Sequence, residues 1–403
     1  PQWRVSMERI KDMYDLQTPC FILDPEELER SVKGFQQALD KNFSNSVVGY
    51  SVKTNSLPKC MKLAKDMGAY AEVVSHDEYE LALLCGFEKQ HIVYNGPMKS
   101  KETFLDAVVN GATINIETKR ELEWLSELPA DSHFNIGIRL NVNISHISPE
   151  DADGDDDNSR FGFSDETSEF VDAIEKIRTM RNVHLAGLHV HRTSHSRSIR
   201  FYKALIDNAC RTIRKYDLDL DYIDVGGGYF GIFPNKPTYQ EYSDAFYEVL
   251  EKYDLQHLRV IVEPGNALVA SCFSSLSKVI DVKHVEDKLW FATTDGSRND
   301  IDPFFKKTSY LSEVKYRQSS PKVETQIVGG CTCLAYDRMF MMKNEPLLSV
   351  GDYIYYHNVG AYTMCLSPMF IRYIPNVYMK SGDGYMVVRR KWTAGEYVMN
   401  NIY

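Results

Sequence analysis

Lys53 stands in Tyr50-Ser51-Val52-Lys53-Thr54-Asn55, directly after the β-like run at 45–49. A lysine at the end of a buried strand is pushed toward its neutral amine, the form that makes Schiff bases with carbonyls. Taken alone, a surface lysine at a strand end is the better explanation of the run. Asp224-Val225-Gly226-Gly227-Gly228-Tyr229 also follows a strand-like run. Three glycines let backbone N–H groups close on an anion, although a tight strand–helix turn would use them too. Val262-Glu263-Pro264-Gly265-Asn266 ends another apolar run and offers Glu263 as a carboxylate that could hold a ring nitrogen protonated. Gly187-Leu188-His189-Val190-His191-Arg192-Thr193-Ser194 offers a flat imidazole and a hydroxyl for an anion. Standing two apart, His189 and His191 are expected to diverge, so no metal site is expected from them.

A Schiff-base lysine, an anion nest, a carboxylate for a pyridine nitrogen and a flat group to lie on the ring are what pyridoxal phosphate (PLP) needs from a protein. The elements that would position them alternate. Strand-like runs fall at 45–50, 70–75, 91–95, 112–116, 133–141, 184–191, 221–226 and 258–263. Helical patterns separate them, among them 57–67, 166–179, 198–215 and 238–253. This predicts an α/β chain with a TIM (β/α)8 barrel over 27–275, its chemistry at the C-terminal strand ends. Those ends read Lys53, Ser75, Asn95-Gly96, Glu117, Asn141, His191, Gly226 and Glu263. Beyond about 275 short β-rich runs take over, at 277–282, 325–328, 352–356 and 385–390. They predict a second, all-β, barrel-like domain made of 1–26 and 276–403.

The 403 residues carry a formal charge of −10, which argues against a nucleic-acid partner. No apolar run is long enough to span a bilayer, and the N-terminal residues lack a signal-peptide core, so a cytoplasmic protein is expected. The eight cysteines are scattered, as expected of reduced, packed thiols. The acidic run 150–158 lacks the closing glutamate of a calcium loop and is expected to be solvated and mobile.

Together these segments resemble one family, the alanine-racemase-like (fold III) PLP decarboxylases of diaminopimelate, ornithine and arginine. The resemblance runs from Thr18-Pro19-Cys20 to about Pro375. It includes the lysine segment, Ala71-Glu72-Val73-Val74-Ser75, Arg160-Phe161-Gly162-Phe163, the glycine triplet, Glu263-Pro264-Gly265, Asp295-Gly296-Ser297-Arg298-Asn299-Asp300 and Cys331-Thr332-Cys333-Leu334-Ala335-Tyr336-Asp337. The resemblance implies that Lys53 carries the cofactor, His191 stacks on its ring, and Glu263 pairs with the pyridine nitrogen. Glu72 lies near the ring. Ser194, Gly226, Gly227, Gly228, Gly265 and Tyr362 receive the phosphate. It implies that Cys333 crosses from a second subunit to protonate the substrate carbon, that Asp337, Asn266 and Arg160 bind substrate, and that the chain forms a homodimer with shared active sites.

Three departures bear on the substrate. Asn266 stands where the family usually has arginine, Thr193 where it has glycine, and Leu334 where diaminopimelate enzymes carry an acid. They favour a diamino acid other than diaminopimelate, or a conjugated amino acid, as in specialised metabolism. The alternatives are diaminopimelate decarboxylase itself, an inactive decarboxylase-like binding protein, and a PLP racemase on the same barrel.

Overall fold

The computed structural model describes residues 9–152, 159–366 and 368–402. Two compact units divide the chain, one of residues 29–268 and one of residues 1–28 with 269–403.

In the first unit the apolar runs pair in parallel. The eight barrel strands are Ser46–Ser51, Tyr70–Ser75, Ile92–Met98, Thr113–Ile116, Phe134–Asn141, Val183–His189, Tyr222–Asp224 and Arg259–Val262. Neighbours in sequence are neighbours in the sheet, and pairing of Arg259–Val262 with Ser46–Ser51 closes the ring. Helices follow the strands, among them Pro58–Asp66, His76–Leu84, Lys101–Val109, Glu169–Arg178, Ile199–Lys215 and Tyr239–Lys252. The strands are apolar on both faces because the barrel interior covers one and the helices the other; Val260, Ile261 and Val262 are all buried. This is the expected TIM barrel.

One layer of the barrel interior is filled by Tyr222. A Cβ at Gly137 would lie 2.1 Å from the Tyr222 hydroxyl, and one at Gly187 2.0 Å from its ring. The glycines therefore make room for the tyrosine, which packs with Val47, Val93, Ala186 and Ile261. Its hydroxyl ends the apolar plug by donating to Asn115 Oδ1 at 2.8 Å, and the polar residues of the strand ends begin there.

The second unit is a nine-stranded, mostly antiparallel sheet. It contains Cys20–Leu23, the long Phe273–Glu286, Lys322–Gly329, Tyr353–Tyr356, Asn376–Ser381 and Gly384–Arg389. Cys20–Leu23 runs parallel to Asn376–Ser381 and antiparallel to Phe273–Glu286. Cys20, Ile22, Leu276, Tyr353 and Tyr378 form a core there. The eight cysteines are free, five of them buried. Among the described residues no helix is long and apolar enough to cross a membrane.

Candidate active site

The C-terminal strand ends of the barrel carry a continuous polar network. Lys53 lies in a short 3-10 turn, Val52–Thr54, just past the first strand. The expectation that it is buried is not met, because its side chain is 35% exposed. Its Nζ lies 2.6 Å from Glu72 Oε2 on the second strand. Glu72 is itself buried and also accepts from Ser51 Oγ at 2.7 Å and Asn95 Nδ2 at 3.1 Å. Its orientation is thus fixed by two neutral donors besides the lysine.

Asn95 Nδ2 also donates to Glu263 Oε1. Glu263 is buried beside Asp224, and His189 Nε2 lies 3.4 Å from its Oε2. Two buried carboxyl groups in contact cannot both ionise, so the pair holds one proton. Burial and the charge of Glu263 drive the Asp224 carboxyl well above the carboxylate range. Burial opposes ionisation of Glu263, but His189, the bond from Asp224 and Lys53 overcome it and hold its carboxyl low. Asp224 therefore keeps the proton and Glu263 the charge. Asp224 further accepts from Gly226 N at 3.0 Å and Asn115 Nδ2 at 3.2 Å.

The glycine turn is built on this base. Tyr229 OH donates to Gly226 O and Tyr202 OH to Gly227 O, each at 2.9 Å. Gly227 N donates to His191 Nδ1 at 3.0 Å, so that nitrogen carries no proton. Burial and the Arg139 charge push the His191 pKa well below its ordinary value. The ring is neutral, with its proton on Nε2. The sixth strand stops at His189, and the His189 and His191 rings lie nearly parallel, 7° apart with centroids 6.3 Å apart. They do not diverge as expected, because side chains two apart along an extended chain share a side.

Behind His191 runs a chain of buried charges. Arg139 Nη2 donates to His191 O at 3.3 Å and its Nη1 to Glu117 Oε2 at 3.1 Å. Glu117 also accepts from Gly96 N at 2.9 Å. Lys99 and Glu121, both with side chains wholly inaccessible, pair at 3.0 Å. Lys99 Nζ also donates to Gly96 O and Asn115 O, and Glu121 Oε2 accepts from Glu117 N. Asn115, Arg139 and Asp224 were missed as candidates. The available signal was a polar residue two positions before a strand end, on the same face as that end.

Other expected residues sit differently. Ser194 is buried, and its Oγ donates to the Asp151 backbone carbonyl at 3.0 Å. Asp151 is buried too, which corrects the reading of 150–158 as a wholly solvated stretch; 153–158 lie outside the described residues. Four side-chain donors hold the Asp151 carboxylate, too many for a solvated loop. Arg160 is exposed, its guanidinium 4.4 Å from the Phe161 ring centroid. Asn266 is half-buried and opens the short helix Asn266–Val269.

In the second unit Cys333 is exposed and Tyr362 adopts φ +53°. Asp337, expected to contact substrate, is buried within this unit. Its buried carboxylate accepts from Ser297 Oγ, Arg298 N, Thr332 N and Thr332 Oγ1. With its lone pairs so committed, it shapes the turn that carries Cys333.

These residues fit PLP. A Cβ at Gly226 would lie 2.4 Å from His191, at Gly227 2.3 Å from Glu263 O, and at Gly265 2.2 Å from Thr54 Oγ1. Only glycine fits there, so the backbone of the turn packs directly on His191, Glu263 and Thr54 with no side chain of its own to cover it. A neutral imidazole, a buried anionic Glu263 and Lys53 complete the set.

Near Lys53, burial drives the Glu78 carboxyl up to about 7, with the Glu72 charge adding to the shift. The unfolded chain loses this proton near pH 4 and the folded chain near 7, so stability falls as pH rises between them. Glu78→Gln should flatten that part of the stability profile in urea melts at pH 5, 6 and 7. An unchanged slope would show that Glu78 is ionised throughout.

Comparison with known proteins gives a consistent result. The family described as "Pyridoxal-dependent decarboxylase, pyridoxal binding domain" matches residues 26–270. A probable chloroplastic diaminopimelate decarboxylase of Oryza sativa subsp. japonica is 26% identical over 395 residues, covering 94% of this chain and 79% of the relative. The diaminopimelate decarboxylase of Bacteroides thetaiotaomicron is 29% identical over 360 residues, covering 86% and 91%. The fold matches the crystal structure of the Methanocaldococcus jannaschii diaminopimelate decarboxylase with TM-score 0.84 at 23% identity, covering 96% of this chain and 93% of that one. It also matches the Paramecium bursaria Chlorella virus arginine decarboxylase with TM-score 0.73 at 17% identity, covering 91% and 96%. With the family match spanning more than half of its length, the chain belongs to the pyridoxal-dependent decarboxylases.

Proposed function

We propose that this PLP-dependent decarboxylase removes the Cα carboxylate of a diamino acid, with diaminopimelate as the substrate. The observation that carries the reading is the Lys53–Glu72–Asn95–Glu263–Asp224 network beneath the glycine turn, in a chain whose relatives include several diaminopimelate decarboxylases. In this reading Lys53 Nζ binds the cofactor carbonyl, and Glu72 holds that nitrogen in place. What the bound group supplies is an electron sink for the pair left when CO2 departs. Glu263, kept anionic by His189 and Asp224, would pair with the pyridine nitrogen and hold a proton there. His191 would lie against the ring, while the N–H groups of Gly228 and Gly265, with Ser194 and Tyr362, would receive phosphate; Gly226 and Gly227, whose N–H groups already donate to Asp224 and His191, would shape the turn around it. Cys333 Sγ then gives a proton to the substrate Cα. We assign Cys333 to a second copy of the chain, so that a homodimer is the working form.

Asn266, Thr193 and Leu334 favour a second reading, a substrate without a second charged amino-acid head. CO2 release from meso-diaminopimelate, L-lysine, L-ornithine, L-arginine and a carboxyl-conjugated diamino acid separates the two. Turnover of meso-diaminopimelate on the order of 10 s⁻¹ supports the first. Turnover of the conjugate alone replaces it with the second. No release from a PLP-loaded protein would sink both.

A further inference from the structure

Asp151 lies at the end of the 3-10 turn Pro149–Asp151. It is 3% exposed. Its Oδ1 accepts from Ser196 Oγ and, at 3.0 Å, from Ser198 Oγ. Its Oδ2 accepts from Ser148 Oγ at 2.5 Å and Arg200 Nε at 3.0 Å. Its backbone carbonyl takes the Ser194 hydroxyl. Every second residue from Ser194 to Arg200 is thus tied to this one aspartate. Ser194 Oγ in turn accepts from Ser196 N at 3.2 Å, and Ser198 caps the helix Ile199–Lys215 by accepting from Phe201 N at 3.0 Å. A carboxylate beside the start of a 17-residue helix is also favoured by the helix dipole. Burial opposes the charge, but the bonds from Arg200 and the serines pull the carboxyl down to about 2.

We infer that Asp151 is a positioning residue for the cofactor phosphate, fixing the 194–198 loop in one shape from which Ser194 Oγ would turn its proton from the Asp151 carbonyl to that phosphate. The inference rests on the proposed function, which places phosphate at Ser194. Asp151 itself touches no reacting atom. An unfixed loop would have to be ordered when the phosphate binds, and that entropic cost would appear as weaker binding. A phosphate-free ligand would not incur it.

The test uses the full chain stripped of cofactor and titrated separately with PLP and with pyridoxal, following cofactor absorbance, for wild type, Asp151→Asn and Asp151→Ala. The Asp151→Asn change keeps the shape of the side chain but sets an amide N–H against the Ser148 and Arg200 donors. The expected result is a PLP dissociation constant raised about tenfold or more in Asp151→Asn, more again in Asp151→Ala, with pyridoxal binding unchanged. Equal losses for PLP and pyridoxal would overturn the inference, because the effect would not run through phosphate. So would a lowered Tm with PLP binding intact, which would make Asp151 a purely structural clamp. Tighter PLP binding would also overturn it, by showing that Asp151 competes with phosphate. A wild-type protein that takes up neither ligand would sink the functional reading instead.

Discussion

Lys53→Ala is expected to leave a folded protein that no longer attaches PLP covalently and whose CO2 release falls by on the order of 10⁴. The fold should survive because Glu72 keeps Ser51 Oγ and Asn95 Nδ2 as donors after the ammonium is gone. Lys53 also lies in a turn rather than in the core. Near-ultraviolet circular dichroism and the visible absorbance of the bound cofactor separate folding from attachment. A variant that keeps the visible band would place the attachment lysine elsewhere. Lys99 is the next lysine along the sites described, but it is enclosed by Gly96, Asn115 and Glu121 and cannot reach a ligand without breaking those bonds.

That enclosure makes Lys99 the subject of the second prediction. Lys99→Met leaves Glu121 charged in a fully buried position, and removing one partner of a buried pair costs about 3–5 kcal/mol. For a unit of this size the midpoint of thermal unfolding should drop by about 6–20 °C. Methionine fills the volume, so the loss reports the charge and not a cavity. Adding Glu121→Gln should recover part of the drop by removing the stranded charge. The recovery will be incomplete, because the buried Gly96 and Asn115 carbonyls still lose the donor that Lys99 Nζ gave them. A drop below about 2 °C in Lys99→Met would mean that the Lys99–Glu121 contact adds almost nothing to stability.

The barrel was readable because its strands are short apolar runs with polar residues at their C-terminal ends, and the eight ends fall in sheet order. The positions of Lys53, His191, the glycines and Glu263 at those ends were readable for the same reason, whereas Glu72 entered only through the family resemblance. The residues between the ends were harder. Asp224 opens the glycine motif, yet its role depends on Glu263, 39 positions away in sequence but in contact across adjacent strands. Arg139 and Lys99 are charges inside the fold, and sequence gives no sign that a charge is buried until its partner is known. Asp151 was misread because a run of acidic residues looks solvated whether or not one member turns inward. The surroundings of Asp337 were not legible, because the spacing from Cys333 says nothing of the four donors that meet it.

The two tyrosine hydroxyls on the glycine turn have a consequence for how the cofactor arrives. Tyr202 and Tyr229 stack on each other, with centroids 4.8 Å apart, and both are among the largest fully buried side chains. Their hold on the Gly226 and Gly227 carbonyls means that the most permissive backbone in the chain is frozen from below, by core packing, before any ligand is present. The conformational entropy of Gly226 and Gly227 is lost during folding, not during binding. Association at this turn should therefore resemble entry into a rigid mould, limited by diffusion and desolvation instead of by loop rearrangement.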